Sequence, residues 1–126
     1  MFSLLKSMLF GSGLEVGPDE AVSAMNAGAQ VVDVREPNEF ASGAILGAVN
    51  VPLGKIQQHG VAALRNAGID DAAPAILMVC RSGARSGSAC LILRDSLGER
   101  VRNLSGGVMA WGSRGLPLTP GGRATT

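Results

Sequence analysis

Apolar residues in this chain fall into short continuous runs, and the runs alternate with stretches in which apolar positions recur at helical spacing. Ala75-Ile76-Leu77-Met78-Val79 is the clearest run. It has no polar alternation, so it predicts a strand buried on both faces. Gln30-Val31-Val32-Asp33-Val34 is a second strand that ends in charge. Ala48-Val49-Asn50-Val51-Pro52 is a third, stopped by its proline. Arg100-Val101-Arg102-Asn103-Leu104 is the last strand, and Leu14-Glu15-Val16 is a short edge strand. Between them, Gly17-Pro18-Asp19-Glu20 opens a helix with proline at its first position and acids in its first turn. That helix carries Ala21, Val22, Ala24 and Met25 and stops at Gly28. Residues 36–40 form a turn or a short helix. A helix is expected from Leu53 to Asn66, weakened by Gly54 and Gly60, with His59 in a surface loop beside the second glycine. Further helices run from Ser86 to Ser96 and from Gly106-Gly107 through Trp111, and Gly115-Leu116-Pro117-Leu118 closes the fold. Strands alternating with helices predict an α/β domain with a largely parallel sheet covered on both faces.

The two ends read differently from residues 14–118. Met1, Phe2, Leu4, Leu5, Met8 and Leu9 share one helical face, while Ser3, Lys6 and Ser7 share the other. Only Phe10 breaks the pattern, and Gly11-Ser12-Gly13 ends it. Residues 1–13 are therefore expected to be an amphipathic arm that packs on its own domain or joins two copies as a homodimer. A membrane-interface anchor is the outward alternative. The apolar run is far short of the about 20 residues needed to span a bilayer. Residues 119–126 are expected to be a loose polar tail.

Composition narrows the function classes. At 126 residues and 46% apolar, the chain is one domain able to bury its own core. A net charge of +1 gives no nucleic-acid footprint, and three Phe, one Trp and no Tyr leave little for base stacking. One histidine and two cysteines without a Cys-x-x-Cys pair offer no metal site, and no cofactor is expected. Two cysteines do not make a disulfide framework. A lone reactive cysteine suits a reducing, cytoplasmic setting.

The candidate chemistry lies where the central strand ends. Cys80 is followed by Arg81-Ser82-Gly83-Ala84-Arg85, then by the helix. Gly83 lets the chain curl through a positive φ, so that successive N–H groups point inward as an anion-binding nest. The helix start adds its unpaired N–H groups and dipole, and Arg81 and Arg85 add full charges. Each effect favours thiolate over thiol, and cysteines so placed fall from about 8.5 to roughly 3.5–7.5. Cys80 is thus the expected nucleophile. Cys90, mid-helix among Ala89, Leu91 and Ile92, reads as a small buried hydrophobe.

These stretches resemble, in order, those of the rhodanese (sulfurtransferase) family, and in particular its single-domain members. The resemblance rests on Val31-Val32-Asp33-Val34-Arg35-Glu36-Pro37-Asn38-Glu39-Phe40, on Gly43-Ala44-Ile45 with Gly47-Ala48-Val49-Asn50-Val51-Pro52, and on Cys80 to Ser86. It is completed by Asn103-Leu104-Ser105-Gly106-Gly107-Val108-Met109-Ala110-Trp111 and Gly115-Leu116-Pro117. It implies a three-layer domain, with a five-stranded, mainly parallel sheet and helices on both faces. It implies that Cys80 carries a persulfide between two half-reactions, from a small anionic donor such as thiosulfate to a thiol or cyanide, with a sulfur-carrier protein as a further partner. The backbone from Arg81 to Arg85 would cradle the anion. Asp33, Arg35 and Glu39 would be structural supports, a charge network bracing the strand ends beside the loop. Phosphatases with a similar loop place five residues between cysteine and arginine, whereas four separate Cys80 from Arg85. The resemblance therefore sets phosphatase and arsenate reductase chemistry behind sulfur transfer. The other alternative is a persulfide carrier or regulatory module without turnover. One departure is Ala44, where many members of the family have histidine.

Overall fold

The computed structural model describes residues 14–123. The expected amphipathic arm, residues 1–13, and the end of the expected tail, residues 124–126, lie outside the described residues. Five strands form one sheet: β1 (Glu15–Val16), β2 (Gln30–Asp33), β3 (Val49–Asn50), β4 (Ile76–Val79) and β5 (Val101–Leu104). Their spatial order is β1-β5-β4-β2-β3, and every strand pair is parallel. The apolar run 75–79 therefore becomes the middle strand, as expected of a segment with no polar face. The helices are α1 (Pro18–Asn26), α2 (Pro37–Ser42), α3 (Leu53–His59), α4 (Val61–Asn66), α5 (Ala84–Leu97) and α6 (Gly107–Ser113).

Strand alternation divides the core in two. Ile76 and Met78 of β4, with Val32 and Val34, face Ile56, Leu64, Ala89, Cys90 and Leu93 from α3, α4 and α5. Leu77 and Val79 face the other way, onto Ala21, Val108 and Trp111 from α1 and α6. This is the expected three-layer α/β arrangement. On α5 the buried residues are Ser86, Ala89, Cys90, Leu93 and Leu97, one helical stripe turned to the sheet. Among the described residues no helix is long and apolar enough to cross a membrane.

Several expectations change. The helix expected over residues 53–66 is broken at Gly60 into α3 and α4, and His59 is the exposed last residue of α3 rather than part of a loop. The strand expected over residues 48–52 is shortened to Val49–Asn50. The tail expected to be loose from Thr119 is docked as far as it is described. Thr119 and Ala44 exchange backbone hydrogen bonds of 2.8 Å each way. Pro120–Gly122 then makes a short turn whose Gly122 carbonyl accepts from the Gly47 N–H at 2.8 Å. Polar composition hid this docking because it is made by backbone, which every residue carries.

Candidate active site

Cys80 follows the last residue of β4, at the carboxyl end of the sheet where open α/β folds gather their ligands. Gly83 then takes φ +104 and caps α5, which begins at Ala84, two residues before the expected Ser86. Ala84 and Arg85 thus belong to the first helical turn and not to the loop. Within this curl the Gly83 N–H donates to the Cys80 sulfur at 3.0 Å, and the Ser86 hydroxyl donates to it at 3.3 Å.

The loop is held from outside by the segment from Asn103 to Met109. The Val108 N–H donates to the Cys80 carbonyl at 2.9 Å, and the Met109 N–H donates to the Arg81 carbonyl at 3.1 Å. The Asn103 side-chain amide donates to the Gly83 carbonyl at 3.0 Å. With these carbonyls drawn outward to residues 103–109, amide N–H groups are left facing the sulfur, which is how a nest binds an anion. Gly107 makes the approach possible. At φ +58, a Cβ on it would lie 2.5 Å from the carbonyl carbon and oxygen of Arg81, and closer still to the Cys80 oxygen.

The electrostatics follow this geometry. Burial alone would push the Cys80 thiol up, because a low-dielectric site disfavours the thiolate. Hydrogen bonds from the Ser86 hydroxyl and N–H, and from the Gly83 and Ser82 N–H groups, outweigh burial and hold the thiol below its ordinary range. The Arg85 charge acts on the sulfur through space rather than through a hydrogen bond. Arg85 is committed to Glu39, with Nη1 to Oε1 at 2.8 Å and Nη2 to Oε2 at 3.0 Å. The thiolate is favoured chiefly by aimed dipoles. Cys90 has no such donors, and burial pushes it up to about 12. Both cysteines are free thiols.

Alkylation should separate the two. Only thiolate reacts, and its fraction rises as pH passes upward through the thiol's pKa. Cys80 is therefore expected to reach its plateau rate at a lower pH than an ordinary thiol, while Cys90 stays unlabelled through neutral pH. Limited access would scale the plateau without moving its midpoint. Peptide mass mapping that found the ordinary thiol midpoint at Cys80 would show that the loop does not ionise it.

The acidic and basic residues beside the loop form two hydrogen-bonded pairs that are coupled through space, Arg35 to Glu39 and Asp33 to Arg85. Arg35 binds Asp33 through Nε and Nη2 at 2.8–3.1 Å and sends Nη2 to the Gly43 carbonyl at 2.7 Å, with both side chains buried. Breaking such a buried pair by removing one partner costs about 3–5 kcal/mol. Asn50 Nδ2 also donates to the Asp33 and Arg35 carbonyls, fixing the end of β2. Glu39 caps α2 by accepting the Glu36 N–H while it binds Arg85. The Arg85 and Glu36 donors hold its carboxyl down at about 2. The stability it contributes is present above the unfolded carboxyl range and is lost only as pH falls towards about 2.

Beside the loop lies an open cleft of about 590 Å³, walled by Val108, Met109 and Leu118 and edged by Arg35, Glu39 and Arg81. Arg81 is exposed, and its guanidinium has no hydrogen-bond or ion-pair partner among the described residues. Cys80 is only 1% exposed and is not a wall of this cleft, which stops at Arg81. Ala44 is fully buried beside Thr119 and does not line it either. Ser86, Asn103 and the clamp from Val108 and Met109 are the site features that sequence reading missed. Ser86 lies in the first turn of α5, and only the curl at Gly83 brings its hydroxyl back to Cys80. The one sequence hint of the backbone clamp was Gly107.

Comparison with known proteins adds an independent line. The family model for the rhodanese-like domain matches residues 17–114. The uncharacterized protein YqhL of Bacillus subtilis is 41% identical over 86 residues, which cover 68% of this chain and 63% of that protein. Thiosulfate sulfurtransferase GlpE of Pseudomonas entomophila is 36% identical over 99 residues, covering 78% of this chain and 84% of that one. The crystal structure of a rhodanese-related protein from Thermoplasma volcanium superposes with a TM-score of 0.69 at 24% identity, covering 83% of this chain and 96% of that one.

Proposed function

The chain belongs to the rhodanese-like domain family, and from that premise we propose that it moves a sulfane sulfur from an anionic donor to a thiol through a persulfide on Cys80. The observation that carries the reading is the Cys80 sulfur, held by the Gly83 N–H at 3.0 Å and the Ser86 hydroxyl at 3.3 Å. The thiolate attacks the outer sulfur of thiosulfate. A bond forms between the Cys80 sulfur and that sulfur, the donor's sulfur–sulfur bond breaks, and its electron pair leaves with sulfite. The negative charge now rests on the outer persulfide sulfur, which the same N–H donors stabilise. An acceptor thiolate, or cyanide in an assay, then takes that sulfur and returns Cys80 as thiolate. This is ping-pong covalent catalysis. No metal or cofactor enters either step, and a reducing cytoplasm would keep Cys80 ready as a thiol.

Arg81 is the cation available to an incoming donor at the mouth of the cleft. Incubation with thiosulfate is expected to add the mass of one sulfur atom to the protein and to release sulfite. Arg81→Ala is expected to raise the KM for thiosulfate about tenfold with little change in kcat, the loss of one charge-assisted contact made equally before and during attack. Loading without thiocyanate production on adding cyanide would favour a persulfide carrier over an enzyme. Absence of loading with both thiosulfate and small organic persulfides would sink the proposal.

A further inference from the structure

Asn103 is 3% exposed and stands on the face of the sheet from which α5 begins. Its Nδ2 donates to the Gly83 carbonyl at 3.0 Å and to both carboxylate oxygens of Glu15, at 2.9 and 3.2 Å. Its Oδ1 is buried without a partner. The reversed amide would aim that oxygen at a carbonyl and a carboxylate, two acceptors, so only one orientation is tolerable. The residue leaves one polar atom unsatisfied in order to keep its NH₂ between Glu15 and Gly83. The position it fixes is a narrow one, because a Cβ on Gly83 would already lie 3.3 Å from the Gly106 nitrogen.

From this chain of contacts we propose that Asn103, oriented by Glu15 of β1, is a positioning residue that aims the Gly83 N–H at the Cys80 sulfur. Neither side chain touches the sulfur. Asn103 acts on the loop through the Gly83 carbonyl, and Glu15 acts through Asn103. The inference rests on Cys80 being the reactive group but not on the identity of its substrate. The other charged groups about the site are Arg81 and Arg85, Glu39 from α2, and Asp33 and Arg35 at the end of β2. All of these stay unchanged in the test.

The test is the pH dependence of Cys80 alkylation, read by mass, in the full chain. Asn103→Ala is expected to move the midpoint up by about one unit. Labelling below the midpoint would then slow about tenfold, and the high-pH plateau would stay as in wild type. Glu15→Ala should move it up by less, and should add little in the Asn103→Ala background, since coupled residues are not additive. The sign is decisive here. Removing an anion by its charge alone would ease ionisation and lower the midpoint, so a rise reports lost positioning. A midpoint unmoved in Asn103→Ala, with only the melting temperature lowered, reduces Asn103 to a structural role and overturns the proposal. Should that variant not fold, Glu15→Ala at its exposed edge position decides alone, and an unmoved or lowered midpoint overturns it. Because no sulfur donor is used, the result stands apart from any failure of sulfur loading.

Discussion

Cys80→Ser is expected to abolish sulfur loading and to lower sulfur transfer by a factor on the order of 10³ or more, as loss of a covalent nucleophile does. Serine is nearly the same size, and its hydroxyl can take the Gly83 N–H and Ser86 contacts that the sulfur now makes. The fold should therefore stay intact, with a melting temperature within a few degrees of wild type. The hydroxyl is not ionised near neutral pH, so the hydrogen-bond donors that stabilise a thiolate have no anion to act on. Cys90→Ala should keep full loading, since Cys90 is buried in the core and its thiol is pushed up to about 12. Intact mass after thiosulfate treatment reads both variants. Sulfur retained on Cys80→Ser and lost on Cys90→Ala would move the chemistry to the wrong cysteine.

The second large effect is expected at Gly107. A Cβ there meets only backbone, the carbonyls of Cys80 and Arg81, so no flexible side chain can swing aside. The positive φ adds its own strain, about 1–3 kcal/mol for a residue with a side chain. Gly107→Ala should cost about 3 kcal/mol or more and lower the melting temperature by roughly 10 °C or more. Whatever folded protein remains should alkylate Cys80 as an ordinary thiol, because the loop has been pushed off its clamp. Gly54→Ala is the control. It lies in α3 with open space where its Cβ would go, and it should be neutral or slightly stabilising. A Gly107→Ala protein with wild-type melting and a wild-type pH profile would falsify the role assigned to residues 103–109.

Which parts of this were legible from sequence follows from what carries each signal. Strands and helices were read from side-chain pattern, and that pattern is what buries them. The run 75–79 became the middle strand because it has no face that water would accept. The curled loop around Cys80 was legible because its makers, a glycine and a following helix, are local in the chain. Glu39 and Arg85 were each seen, but their pairing across 46 positions was not. Arg85 was therefore read with the sulfur alone, whereas its hydrogen bonds go to Glu39 and its charge reaches Cys80 through space. The least legible feature was the clamp. Its donors at Val108 and Met109 are main-chain amides, identical in every residue, and only the Gly107 beside them hints that two backbones meet. The docking of Thr119 was missed for the same reason.

The clamp also sets an order in time. Cys80 emerges from the ribosome before residues 103–109, and the carbonyls of its loop have no partners until that segment arrives. Until then the loop is unclamped, and the sheet lacks both β5 and the start of α6. The site is complete only when nearly the whole domain has been made.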